Sequence, residues 1–182
     1  MNLSRLAAAV LLATAAPLAL ADLKMGADAP DFSTQVALDG KVSDFKLSDA
    51  LKSGPVVLYF YPKSFTSGCT KEAHLFAEAT DRYAALGARV IGVSSDDVET
   101  QKKFSVAECR SKFPVAADAD QHIIKAYDAG MMMFPGHASR VSYVITPDRK
   151  VNYVYSAMNP DEHVNNTLAA LEKWRAAHPK AK

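Results

Sequence analysis

Tyr61-Pro62-Lys63-Ser64-Phe65-Thr66-Ser67-Gly68-Cys69-Thr70-Lys71-Glu72-Ala73 is the stretch around which this chain is organised. Just before it, Val56 to Tyr61 is a short apolar run with the length and composition of a fully buried strand. Pro62 and Gly68 then punctuate a loop. From Thr70 to Leu86, Ala73, Phe76, Ala77, Thr80, Tyr83 and Ala84 recur at helical spacing, so a helix is expected to begin at the cysteine. A thiol in that position sits among backbone N–H groups that lack carbonyl partners, at the positive end of the helix dipole. Both effects favour the thiolate, the reactive form of cysteine. The plainer reading is a small buried hydrophobe, as most free cysteines are, and position alone leaves the two readings open.

On the N-terminal side, Asp39-Gly40 marks a hairpin turn between Val36 and Val42, and Leu47 to Leu51 reads as one helical turn closed by Ser53-Gly54-Pro55. On the C-terminal side, Gly87 is placed to cap the long helix, and Val90 to Val93 is a second buried strand. Asp96 with Glu99 resembles a capping box opening a helix through Ala107. Lys112 to Ala117 ends in a turn, and a short helix follows around Ile123 to Tyr127. Two strands, Ser142 to Ile145 and Val151 to Tyr155, flank Pro147-Asp148. Asn159-Pro160-Asp161-Glu162 has the cap, proline and acidic residue of a helix start, and that helix is expected to run to Ala177. Helices interleaved among apolar strands imply an α/β fold with both sheet faces covered.

Arg5, the Ala/Leu-rich run Leu6 to Ala16 and the small-x-small site Ala19-Leu20-Ala21 read as a secretory signal peptide. The run is short for a membrane anchor and Pro17 interrupts it; no later segment is long and apolar enough to cross a bilayer. Cleavage near Ala21 would leave one domain, residues 22–182, of 182 − 21 = 161 residues in a periplasmic or otherwise exported setting. The formal charge of +1 includes Arg5, so the mature chain is close to neutral, which argues against an electrostatic nucleic-acid or membrane surface. The ending His178-Pro179-Lys180-Ala181-Lys182 reads as frayed. Cys69 and Cys109 are the two cysteines, and in an oxidising compartment they could pair as a permanent staple or as a transient catalytic disulfide.

Pro62, Thr66 and Cys69 reproduce the Pro-x-x-x-Thr-x-x-Cys signature of peroxiredoxins, and Ala29-Pro30-Asp31-Phe32 resembles their extended opening. The longer string from Phe60 to Ala73 resembles the bacterioferritin-comigratory, or peroxiredoxin Q, branch of the AhpC/TSA family. The resemblance runs from about Gly26 to Trp174. It implies a thioredoxin-like fold, a central mixed β-sheet flanked by helices, and a peroxidase without cofactor or metal. By that resemblance Cys69 is the peroxidatic nucleophile, Thr66 bonds the sulfur and the peroxide, and Pro62 shields the pocket. Arg140, before the run Val141 to Ile145, would stabilise the thiolate, with Glu72 a candidate to orient it. The resemblance also implies a hydrogen peroxide or organic hydroperoxide substrate, a thioredoxin-like thiol reductant, and a monomer or homodimer. Ser64-Phe65 and Ser67 depart from the residues common in relatives, and Phe65 would bias the pocket toward bulkier hydroperoxides.

Where many relatives place a resolving cysteine, five residues after the first, this chain has His74. Other members of the family carry the resolving cysteine in the next helix, so by that resemblance Cys109, near the end of that helix, is the expected resolving thiol, and the alternative is a one-cysteine enzyme reduced by an outside thiol. A second class of function is a copper carrier using Cys69, His74, His137 and Met131-Met132-Met133, since soft sulfur and imidazole ligands suit copper. Ala73 stands where the Cys-x-x-x-Cys pair of related copper chaperones would need its second cysteine. A Cys-x-x-Cys disulfide oxidoreductase has no matching motif here, and an inactive module stapled by Cys69 and Cys109 would hold a disulfide that resists reduction.

Overall fold

The computed structural model describes residues 22–179. The expected signal segment, residues 1–21, and the last three residues of the tail lie outside the described residues. Seven strands form one sheet in the order β2-β1-β5-β4-β3-β6-β7. They are β1 (Ser33–Leu38), β2 (Lys41–Lys46), β3 (Val56–Phe60), β4 (Arg89–Ser94), β5 (Val115–Ala117), β6 (Val141–Ile145) and β7 (Val151–Ser156). The helices are α1 (Leu47–Leu51), α2 (Ser67–Ala85), α3 (Val98–Ala107), α4 (His122–Ala126) and α5 (His163–Ala177). β4 runs parallel to both β3 and β5, while β3–β6, β6–β7, β1–β5 and β1–β2 are antiparallel, so the sheet is mixed as expected. None of the described helices is long and apolar enough to cross a membrane.

Central β3 is buried on both faces, which is why its sequence is continuously apolar rather than alternating. Period-2 geometry divides its side chains between two cores. Val57, Tyr59 and the following Tyr61 join Phe76 and Tyr83 of α2 with Leu168 and Leu171 of α5. Val56, Leu58 and Phe60 face the other way, onto Leu47 and Leu51 of α1 and Ile123 and Ile124 of α4. Asp39 and Gly40 both take positive φ, 51° and 69°, as the expected two-residue hairpin requires.

Several expectations needed adjusting. α2 begins at Ser67, before the cysteine, because Thr66 with extended backbone is its N-cap. Within α2 the buried face includes Glu72 and Ala79, whereas Ala84 is exposed. α3 is capped by Asp97, whose side chain accepts from the Thr100 N–H at 2.7 Å. Asp96 instead accepts from the Ser64 N–H at 2.8 Å, tying the cysteine loop to the end of β4. α5 starts only at His163, because the Asn159 side chain accepts from the Asp161 N–H and holds residues 159–161 in a turn.

Gly92 of β4 lies beside Tyr59 of β3, and a Cβ there would stand 2.8 Å from the buried Tyr59 ring. Gly92→Ala is therefore expected to destabilise the fold by about 1–3 kcal/mol through overpacking. Denaturant titration should show a lower midpoint with an unchanged slope.

Candidate active site

Cys69 is the third residue of α2, and the Thr70 N–H, bonded to Thr66 O at 2.8 Å, is the first to follow it. The N–H groups of Ser67, Gly68 and Cys69 precede the helical ladder and concentrate positive potential around the thiol. Cys69 is nevertheless only 2 % exposed. It shares a core with Tyr59, Tyr61 and Phe76.

Arg140, immediately before β6, spends each of its three guanidinium nitrogens on a different partner. Nη2 donates to Cys69 Sγ at 3.4 Å, Nε to Met158 O at 2.9 Å, and Nη1 to Glu72 Oε2. Arg140 and Glu72 are both buried, so the cation is held by a carboxylic group from one turn further along the cysteine's own helix. Burial pushes the Glu72 carboxyl up to about 8, against the pull of Arg140. Gly68 makes room for this arrangement, since a Cβ there would lie 3.1 Å from Arg140 Nη2.

The remaining expected site residues fall out as follows. Thr66 is exposed, and its hydroxyl donates to Lys63 O at 2.9 Å rather than to the sulfur, closing the loop that precedes α2. That bond uses the hydroxyl proton and leaves the oxygen lone pairs as acceptors. Pro62 is half-buried at the end of β3. Phe65 takes a positive φ of 64° and is 47 % exposed, packing edge-on against Phe104 of α3.

Cys109 follows α3 by two residues and is buried in the same core as Cys69. Both thiols are free, and burial pushes the Cys109 thiol up. Arg110 and Ser111 after it both adopt positive φ, 50° and 56°, an uncommon pairing for residues with side chains. Two contacts tie this turn back to α2: His74 with Glu108 at 2.8 Å and Glu78 with Arg110 at 3.0 Å.

His163 and Ser142 carry no motif, yet they stand behind the site. His163, at the start of α5, is buried and lies 3.6 Å from Glu72 Oε1 through Nδ1. Nδ1 also meets Ser142 Oγ at 2.8 Å and Nε2 meets Ala157 O at 2.9 Å. Burial lowers His163 to about 4, from 6.5. The unfolded chain thus binds a proton at this site across a range where the folded chain does not, so the His163 contribution to stability is full above pH 6.5 and is lost as pH drops toward 4. Linkage gives a loss of about 2 kcal/mol between roughly pH 7 and pH 5. Denaturation at both pH values should show the stability of wild type relative to His163→Gln falling by that amount from pH 7 to pH 5, the opposite contribution of Glu72 being present in both proteins.

The soft ligands of the copper reading are spread apart in role: Cys69 is buried against Arg140, His74 is paired with Glu108, and Met132 and Met133 are exposed on a loop. Asp118, Asp120 and His122 do cluster among the described residues. Asp118, however, is already accepting the Ile123 and Ile124 N–H groups at the start of α4.

Residues 25–154 match the model of the AhpC/TSA family. The chain is 35 % identical over 134 residues to a putative peroxiredoxin of Mycobacterium tuberculosis, covering 72 % of this chain and 86 % of that protein. It is 34 % identical over 122 residues to the chloroplastic peroxiredoxin Q of Triticum aestivum, covering 66 % of this chain but only 56 % of the wheat protein. Among solved structures, peroxidoxin BcpB from Mycobacterium tuberculosis superposes with a TM-score of 0.73 at 33 % identity, covering 83 % of this chain and 97 % of that one. AhpC from the same organism has a TM-score of 0.76 at 19 % identity over 88 % of this chain and 98 % of that one, a likeness of fold. The fold is therefore the thioredoxin-like one of peroxiredoxins, and the chain belongs to the AhpC/TSA family, within its peroxiredoxin Q-like members.

Proposed function

We propose that this protein is a thiol-dependent peroxidase in which Cys69 attacks hydrogen peroxide or an organic hydroperoxide. The contact that carries this reading is the 3.4 Å approach of Arg140 Nη2 to the Cys69 sulfur, at the first turn of a helix. The thiolate attacks one peroxide oxygen, the S–O bond forms as the O–O bond breaks, and the departing oxygen leaves as an anion that takes up a proton. Arg140 and the unpartnered N–H groups of the helix start supply positive potential where that charge develops. Thr66 presents acceptor lone pairs to the peroxide hydrogen, and Pro62 limits water at the edge of the pocket.

The sulfenic acid is resolved by Cys109, giving a disulfide that a thioredoxin-like thiol donor reduces. Both cysteines are buried, so resolution requires the first turn of α2 and the turn at Cys109 to open locally. Arg110 and Ser111 favour that opening, since left-handed backbone at non-glycine residues costs about 1 kcal/mol or more each. The Ala19-Leu20-Ala21 site supports export of the mature chain.

One equivalent of hydrogen peroxide, followed by thiol blocking and intact mass, tests the cycle. Wild type is expected to form the Cys69–Cys109 disulfide, and Cys109→Ser to stop at sulfenic acid on Cys69. Sulfenic acid in both would make this a one-cysteine enzyme reduced from outside. Two unreacted thiols would overturn the peroxidase reading.

A further inference from the structure

Glu72 Oε1 is buried and has no hydrogen-bond partner among the described residues, although the other oxygen of the same carboxyl is bound by Arg140. Oε1 faces His163 Nδ1 at 3.6 Å. The state of that histidine follows from its other contacts. Nε2 meets a backbone carbonyl, which only accepts, so Nε2 carries the ring proton and Nδ1 is a lone pair. An ionised Glu72 would thus set two acceptors against each other in a site that water does not reach. Leaving such a group unsatisfied is costly, and more so when it is charged.

The charges of the site give the same answer. Among the described residues Arg140 is the one cation in contact with both Cys69 and Glu72, two acids three positions apart on α2. The other titratable groups acting on Glu72 are His163 from α5, held neutral, and Tyr59 from β3, whose burial keeps it protonated. With both acids ionised, the buried cluster would carry a net negative charge, which a low-dielectric site resists.

We propose that Glu72 holds a proton on Oε1, directed at His163 Nδ1, whenever Cys69 is ionised, and releases it as Cys69 is oxidised. This deepens the peroxidase reading and rests on it. The balance is RS⁻ + R′OOH + Glu72-COOH → RSOH + R′OH + Glu72-COO⁻. Sulfur is oxidised by two electrons, the O–O bond is reduced, and Glu72 gives up one proton as the departing oxygen gains one. The cluster is neutral before the step, with Arg140⁺ against the thiolate, and neutral after it, with Arg140⁺ against the carboxylate. The raised titration of Glu72, which burial pushes up to about 8, agrees with this exchange. His163 is a positioning residue: its Nδ1 is the acceptor that gives the Glu72 proton a place. Ser142 Oγ shares that acceptor and can turn its hydroxyl away as the carboxyl proton arrives.

Infrared difference spectroscopy on Cys109→Ser at neutral pH tests this, because a protonated carboxyl has a C=O stretch well separated from carboxylate bands. Thiolate absorbance and intact mass, recorded on the same samples, report the state of Cys69. The reduced, thiolate form is expected to show one protonated-carboxyl band that disappears on adding one equivalent of peroxide. Glu72→Gln should lack it, and His163→Phe should move it to higher wavenumber as the O–H loses its acceptor. Should Glu72→Gln not fold, ¹³C-labelled glutamate in the parent protein makes the assignment through the isotope shift. No carboxyl band in the thiolate form, or a band unchanged after Cys69 has been oxidised, overturns this proposal alone. A Cys69 that peroxide leaves unoxidised overturns the peroxidase reading, and this proposal with it.

Discussion

Arg140→Leu is expected to slow the oxidation of Cys69 by peroxide by about 10²–10³-fold, the usual cost of deleting one preorganised donor at a developing anion. The guanidinium is the group that touches the sulfur, and its two remaining nitrogens are anchored by Glu72 and Met158 O. It therefore needs no reorganisation as charge moves from sulfur to the departing oxygen. Lysine at this position should recover little of the rate, since one ammonium cannot reproduce a planar fork held at three points.

The same variant has a signature in stability. Glu72 in the wild type ionises near 8, and the unfolded chain ionises near 4.5, so raising pH between these values weakens the fold in both proteins. In the wild type that loss ends once Glu72 has ionised. Without Arg140 the carboxyl resists ionisation further, and the loss continues as pH rises. The deficit of Arg140→Leu should consequently widen above pH 8, toward the roughly 3–5 kcal/mol typical of a buried charge left without its partner. Denaturant titrations across that range read it directly, and a deficit independent of pH would contradict the coupling of Arg140 to Glu72.

Cys69→Ser is expected to reduce peroxide consumption to the uncatalysed background while leaving the fold intact. Serine has nearly the same shape, so the packing against Tyr59 and Phe76 is kept. A hydroxyl at this position is neither readily ionised nor oxidised by two electrons, so no sulfenic acid equivalent forms. Peroxide consumption in the presence of a thioredoxin-like donor, measured beside a thermal melt, separates loss of chemistry from loss of structure.

Much of this was legible in the residues. The run Val56 to Tyr61 announced a buried strand because every position of β3 lies against one core or the other. Cys69 and Arg140 were named as candidates from a family resemblance carried by the long string around the cysteine, and the structure brings the two groups into contact. Thr66 was read as a loop residue bonding the sulfur, whereas it is the N-cap of α2 and its hydroxyl donates to Lys63 O, since a turn offers a nearby carbonyl that competes with the sulfur. The start of α5 was misjudged for a similar reason: a helix-cap pattern and a side-chain-closed turn use the same asparagine. His163 and Ser142 could not be found from spacing. They come from separate elements, α5 and β6, and only the packing of α5 over the sheet brings them behind Glu72.

The central claim is that Cys69 is the group peroxide attacks first. The direct measurement is peptide-resolved mass spectrometry on the reduced wild-type protein after a substoichiometric pulse of hydrogen peroxide, delivered in the presence of excess small-molecule thiol. The account predicts that Cys69 captures the oxidant ahead of the competing thiol, and that Cys109 changes only through a bond to Cys69. Peroxide consumed by the small thiol while Cys69 stays reduced, or oxidation shared evenly with Cys109 and the exposed Met132 and Met133, would contradict it.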